Sequence, residues 1–249
     1  MAHSTTKPTI VLLHGAWHSA VHFGPLISLL TKAGYPALCP TQPSFNAQPP
    51  KKDLYDDSNF IQTILKQLIK EEEKDVVVVM HSYGGVVGTQ AVTNELSSNT
   101  RAKKGKKGGV SHLLYLCAFV LKLGNSLAQT FGGSLPQFIP IEEDGSCNMM
   151  DPKLRFYNDL SPEDQDRWVA ELRPHSSAAQ FTPLTNAGYQ YVPCTYLFCG
   201  NDQALLIEYQ RGIVEASVVK MREISCGSGH SPYLSMPEKV VAVIDGLEK

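Results

Sequence analysis

Four valines in a row, Val76 to Val79, are the strongest strand signal in the chain. β-Branched side chains pack well on a pleated surface and lose rotamer freedom in a helix. A second run, Thr9 to Leu13, is apolar without alternation, which suits a strand buried on both faces. Helical patterns stand between such runs. Pro25 precedes Leu26, Ile27, Leu29 and Leu30, with Gly34 as the stop. Phe60, Ile61, Ile64, Leu65, Leu68 and Ile69 recur at helical spacing and predict one apolar face. Further strands are expected at Pro36–Cys39, Leu113–Phe119, Thr195–Cys199 and Val218–Ile224. Helices are expected after Ser82 to about Leu96, from about Ala204, and at the C-terminus. For that last helix Ser235-Met236-Pro237-Glu238 reads as N-cap, proline and capping-box glutamate. Strands alternating with helices predict an α/β fold: a mostly parallel sheet with helices on both faces, binding ligands at the carboxyl ends of its strands.

The rhythm breaks between residues 122 and 191, where Pro, Gly, Met and aromatic residues are dense. Within it, Ser161-Pro162 opens a short helix that includes Trp168. The expected organisation is a core in two parts, 1–121 and 192–249, with 122–191 inserted as a lid. Hydrophobic residues are 43% and charged residues 18% of 249, which excludes a mainly disordered chain. The net charge of -2 gives no field toward nucleic acid or an anionic membrane. The lysines at 103, 104, 106 and 107 lie among glycines and read as a surface loop. No apolar leader begins the chain, no apolar run approaches the roughly 18 residues of a membrane span, and no glycosylation sequon occurs, so a cytoplasmic location is expected. The six scattered cysteines read as buried thiols, and the absence of Cys-x-x-Cys or His-Glu-x-x-His spacing argues against a dedicated metal site.

Four motifs carry chemistry. The valine strand runs into Met80-His81-Ser82-Tyr83-Gly84-Gly85 and then a helix. A serine at such a turn resembles the nucleophile elbow G-x-S-x-G, in which a tight turn lifts the hydroxyl above the sheet. Met80 departs from that pattern, because a larger side chain must fit behind the turn. His14-Gly15-Ala16-Trp17 follows the first strand and resembles an oxyanion loop, with the N–H groups of Ala16 and Tyr83 as expected donors. Asp202 follows the strand at Thr195–Cys199, and His230 sits in Gly227-Ser228-Gly229-His230-Ser231-Pro232. Ser82, Asp202 and His230 thus occur as nucleophile, acid and base, spaced by 120 and 28 residues, each just after a predicted strand.

Together these segments resemble the α/β-hydrolase fold, and in particular the small esterase branch that includes plant methylesterases and hydroxynitrile lyases. The resemblance covers nearly the whole chain. It implies a Ser82–His230–Asp202 triad that cleaves a carboxylic ester or lactone through an acyl-enzyme, with no metal or organic cofactor. The small-molecule substrate is expected to be small to medium and largely apolar, with Trp17, His18 and His175 as candidate pocket residues. Hydroxynitrile lyases of this branch typically carry Thr in the oxyanion loop and Lys after the catalytic His, where this chain has Gly15 and Ser231. Two alternatives stay open: non-hydrolytic chemistry on the same residues (cyclase, isomerase or C–C lyase), and a receptor-like protein with a weakly active triad. Partners of nucleic acid or membrane type are not expected; a homodimer is left open.

Overall fold

The computed structural model describes residues 7–247. Residues 1–6, on which the expectation about a leader falls, and 248–249 lie outside the described residues. The main sheet contains β1 (Thr9–Leu13), β2 (Ala37–Leu38), β3 (Asp75–His81), β4 (Gly109–Leu116), β7 (Cys194–Cys199) and β8 (Arg222–Cys226). The two remaining strands, β5 (Ser146–Cys147) and β6 (His175–Ser176), form a separate antiparallel pair. The order in the main sheet is β2-β1-β3-β4-β7-β8, and every pairing in it is parallel. From β1 the chain steps one way to β2 and the other way to β3. The switch point, where such sheets bind ligands, therefore lies at the carboxyl ends of β1 and β3.

The inner strands β1, β3, β4 and β7 are mostly buried on both faces, as their apolar runs require, while the edge strands β2 and β8 are only partly covered. Val11, Leu13, Val76, Val78 and Met80 join one core. Their alternates Ile10, Leu12, Val77 and Val79 join the other. The first core is covered by α2 (Leu54–Lys66) and α3 (Gly84–Ala91), the second by α1 (Gly24–Lys32) and the helix Pro237–Asp245. Between β4 and β7 the chain makes only short helices and the β5–β6 pair, and Leu127, Phe156, Trp168 and Tyr189 from this stretch pack into the first core. Among the described residues no helix is long and apolar enough to cross a membrane. Four of the six cysteines are buried; Cys39 and Cys226 are partly so.

Several expected elements shift for local reasons. Phe60 is 40% exposed, because the buried stripe of α2 runs through Leu54, Asp57, Ile61 and Leu65 instead. α3 stops at Ala91, short of Leu96. There the Asn186 side-chain amide takes the carbonyls of Thr89, Gln90 and Val92, which a longer helix would have used itself. β8 begins at Arg222, since Ser217 Oγ accepts from Val219 N and turns the chain where Val218 promised a strand. The last helix has Met236 at its N-cap, without a side-chain cap. Ser235 belongs to the preceding turn and donates to the Ser231 carbonyl.

The methionine behind the elbow is accommodated one helical turn away. Met80 is fully buried, and a Cβ built at Gly88 of α3 would run into its thioether. Gly88 thus supplies the clearance that a glycine at position 80 would otherwise give. Gly88→Ala is predicted to destabilise the fold by about 1–3 kcal/mol through overpacking. Met80→Ala should cost less in the Gly88→Ala background than alone, as read by a denaturant double-mutant cycle; strictly additive losses would contradict the pairing.

Candidate active site

Ser82 follows β3 directly and has a φ of 51°, a left-handed conformation that an L-residue adopts only when its surroundings enforce it. The enforcing contacts are visible. Ser82 N donates to the Leu116 carbonyl at 3.3 Å, and the Ser82 carbonyl accepts from Gly85 N at 3.0 Å and Phe119 N at 3.2 Å. Cβ atoms at Gly84 or Gly85 would run into the backbone of Leu13 or Phe119, so only glycine lets α3 start this close to the sheet. A Cβ at Gly15 would sit 2.9 Å from both His81 Nδ1 and Ser82 Cβ. The loop after β1 can therefore press against the elbow only with glycine there.

Ser82 lines a narrow cleft of about 420 Å³ of atom-free space, partly open to solvent, together with His230, Ala16, Trp17 and Tyr83. The rest of the wall is mainly apolar: Phe119, Phe131, Phe138, Ile139, Met149 and Phe156. His230 Nδ1 lies 2.7 Å from Asp202 Oδ2, both residues buried. No direct hydrogen bond joins the Ser82 hydroxyl to the His230 ring, although both face the same cleft. Asp202 is fixed by four donors. Its Oδ1 accepts from Ala204 N and Leu205 N, each at 2.8 Å. Its Oδ2 accepts from His230 and, at 3.2 Å, from Gln210 Nε2. Those two backbone bonds form the acid turn and delay the following helix to Ile207. Gln210, fully buried, also bonds both backbone groups of Cys199. The segment between β4 and β7 clamps the two loops: Asp159 Oδ2 accepts from Gly229 N at 2.6 Å, and Asn158 Nδ2 donates to the Asn201 carbonyl at 3.0 Å.

The expected oxyanion donors lie at the cleft. Ala16 and Tyr83 both line it, and among the described residues neither backbone N–H is spent on another group. The loop is held by histidines from behind. His14 Nε2 accepts from Gln42 N at 3.0 Å, so its Nδ1–H donates to the Gly15 carbonyl at 2.9 Å. His18 Nδ1 donates to the Ala16 carbonyl at 2.8 Å, and its Nε2 accepts from the Tyr157 hydroxyl at 3.1 Å. Of the three candidate pocket residues, Trp17 lines the cleft and donates its indole N–H to the Cys147 carbonyl at 2.9 Å. His18 and His175 do not line it, a correction to the expected placement. His18 is enclosed by His22, Phe156 and Tyr157, where its ring serves the loop rather than a ligand.

His175 belongs to a buried cluster that motif reading missed. Its Nε2 lies 2.8 Å from Ser44 Oγ, and its Nδ1 lies 3.1 Å from Gln180 Nε2. Asp57 accepts from Ser44 N at 2.8 Å, Ser44 Oγ at 2.6 Å and the Tyr83 hydroxyl at 2.8 Å. The one sequence signal was a carboxylate on the stripe of α2 between Leu54 and Ile61. Elsewhere, His81, Cys117 and His230 each present a possible metal-ligand atom within 4.8 Å of one another. Two of these groups turn to the third residue's backbone: His81 Nε2 and Cys117 Sγ both donate to the His230 carbonyl, at 2.8 and 3.3 Å, while His81 Nδ1 is buried without a partner among the described residues.

Burial keeps this set of histidines neutral. Desolvation lowers His14 and His22 from 6.5 to about 4 and His175 to about 3. It holds His18 and His81 well below the ordinary value. Desolvation also raises Asp57 from 3.8 to about 6. These five histidines, together with His112, which desolvation also lowers to about 4, contribute stability that is present above about pH 6.5 and lost as pH falls toward 4, because the unfolded chain binds their protons first. Asp57 acts oppositely, its contribution fading as pH rises through about 6, but it is one group against six. The urea midpoint is therefore predicted to fall clearly between pH 7 and pH 5, each histidine adding at most about 1.4 kcal/mol per pH unit. A midpoint that is flat or rises over that range would contradict neutral burial.

Comparison with known proteins agrees with this architecture. A family model described as alpha/beta hydrolase family matches residues 10–243. An alpha/beta hydrolase, nvfD, of Aspergillus novofumigatus is 31% identical over 244 residues, 96% of this chain and 95% of that protein. A carbendazim hydrolyzing esterase of a Nocardioides species is 30% identical over 193 residues, 72% of this chain and 73% of that protein. The solved structure of a methylesterase from Arabidopsis superposes with a TM-score of 0.70 at 20% identity, covering 96% of this chain and 98% of that one.

Proposed function

The chain belongs to the alpha/beta hydrolase family, and from that premise we propose that it is a serine hydrolase cleaving a carboxylic ester or lactone of a small to medium, largely apolar substrate. The observation that carries this reading is the strained Ser82, which shares one apolar cleft with a histidine held 2.7 Å from a buried aspartate and with two residues whose backbone N–H groups are unspent. A strained turn, a base and its orienter, and free donors on one wall are the parts an acyl transfer needs.

In the proposed reaction the substrate carbonyl sits over Ser82 with its oxygen toward Ala16 and Tyr83. His230 Nε2 takes the hydroxyl proton as Oγ attacks; this contact tightens when substrate fills the cleft. Asp202, held by Ala204, Leu205 and Gln210, keeps His230 Nδ1–H pointed at itself and stabilises the imidazolium. The two N–H groups bind the tetrahedral oxygen better than the flat carbonyl, each lowering the barrier by ~3 kcal/mol. The protonated His230 then gives its proton to the leaving alcohol oxygen, leaving an acyl group on Ser82. Water, deprotonated by His230, attacks that ester and releases the acid. The carbendazim hydrolyzing esterase supports this class of chemistry by its name alone, and the aromatic wall supports an apolar substrate.

Ser82→Ala and His230→Ala are each expected to lower kcat/KM on an activated ester by at least ~10³-fold while the circular dichroism and the urea midpoint stay near those of the unaltered protein. Asp202→Asn is expected to impair turnover through loss of imidazole orientation. Undiminished turnover in the Ser82 and His230 variants would rule the reading out.

A further inference from the structure

Among the described residues, one side chain of the cleft wall keeps a polar atom that neither the proposed reaction nor a neighbouring residue uses. Gln180, 2% exposed, lines the cleft from the short helix Ala178–Phe181. Trp17 also carries a polar group, but its N–H is spent on Cys147. The Tyr83 hydroxyl is likewise spent, on Asp57. Gln180 Nε2 is committed to His175 Nδ1 at 3.1 Å. Its Oε1 bonds no described residue and is not among the fully enclosed polar atoms that lack a partner, so the oxygen keeps some accessible surface on a residue that lines the cleft.

Which end of the amide faces the cleft follows from the network behind it. A carboxylate only accepts, so the three groups around Asp57 all donate to it. Ser44 Oγ has one proton, and that proton goes to Asp57 Oδ2 at 2.6 Å. Ser44 Oγ must therefore accept from His175, which places the ring proton on Nε2. A neutral imidazole with its proton on Nε2 has an acceptor at Nδ1. The group facing Nδ1 must be a donor, the Gln180 NH₂. The amide oxygen is thereby turned outward. The charge states fit: burial raises Asp57 only to about 6, so it is ionised at neutral pH, and burial keeps His175 neutral. Every member of this chain is at least nine-tenths buried.

We infer that Gln180 is a specificity-determining residue whose amide oxygen, fixed by the donor chain from Asp57 through Ser44 and His175, accepts a hydrogen bond from a hydroxyl group of the substrate. This rests on the ester-hydrolase reading of the same cleft and narrows it: the substrate is apolar over most of its surface and carries one donor. A ligand that occludes the oxygen without offering a donor leaves a buried acceptor unpaired and is discriminated against. An ether in place of the hydroxyl meets oxygen with oxygen and is rejected as well.

The test is a matched set: methyl 3-phenylpropanoate, its three hydroxyphenyl isomers and their methyl ethers. In the unaltered protein one hydroxyphenyl isomer is expected to exceed both the parent and its own ether in kcat/KM by about tenfold or more. In Gln180→Met, which keeps length and removes the amide, that ratio should fall to within about twofold. The inference is overturned if no hydroxyphenyl isomer is preferred by the unaltered protein, or if the preference survives in Gln180→Met. The ratio in the unaltered protein decides the matter should the variant misfold. If none of the esters is hydrolysed, the ester-hydrolase reading falls separately. Calorimetric Kd ratios for the same compounds then test the hydroxyl preference by itself, and equal or undetectable binding across the set overturns it.

Discussion

A single residue held in a left-handed conformation organises one end of this molecule. Ser82 can keep its φ of 51° only because neighbouring backbones close in on it from three sides: the loop at Gly15, the start of α3 at Gly84 and Gly85, and the segment after β4 at Phe119. Each approach depends on a missing side chain or a parallel strand end. The sheet order brings β1, β3 and β4 side by side so that these three segments emerge together. The strain is offset by the packing of both cores, and the product is a hydroxyl raised above the sheet instead of folded into it.

Around that point the protein uses neutral imidazoles as struts. His14 and His18 hold the carbonyls of Gly15 and Ala16. His22 donates to the Trp168 carbonyl at 3.3 Å, and His81 holds the His230 carbonyl. An uncharged imidazole offers one donor and one acceptor on a rigid ring, which suits a buried site where a cation would be costly. His230 differs from these in facing the cleft with its ring while an aspartate takes its second nitrogen. The segment between β4 and β7 is therefore more than a connection. Through Asp159, Asn158 and Trp168 it fixes the loops that carry the acid, the base and the expected oxyanion donors.

Much of this was legible from residues alone. Valine runs and helical spacing located the sheet and its main helices, and the order of Ser82, Asp202 and His230 after strand ends pointed to residues of which the fold sets His230 against Asp202 and in one cleft with Ser82. The rest was hidden for definable reasons. Local periodicity could not reveal that Asn186, distant in sequence, would end α3. Nor could it reveal that Ser217 would turn the chain ahead of β8. His18 was expected at the pocket because it adjoins the oxyanion loop, and His175 because it lies in the expected lid, whereas their hydrogen bonds turn them inward. Asp57 and Gln180 belong to no motif. They matter only because folding brings α2, the loop at Ser44 and the segment between β4 and β7 into one buried network.

The account stands or falls on the nucleophilicity of one oxygen. The most direct measurement is labelling of the folded protein with a fluorophosphonate probe, followed by peptide mapping by mass spectrometry. The account predicts stoichiometric modification confined to Ser82, abolished by prior heat denaturation. Modification at another residue, or none in protein shown to be folded, would contradict it.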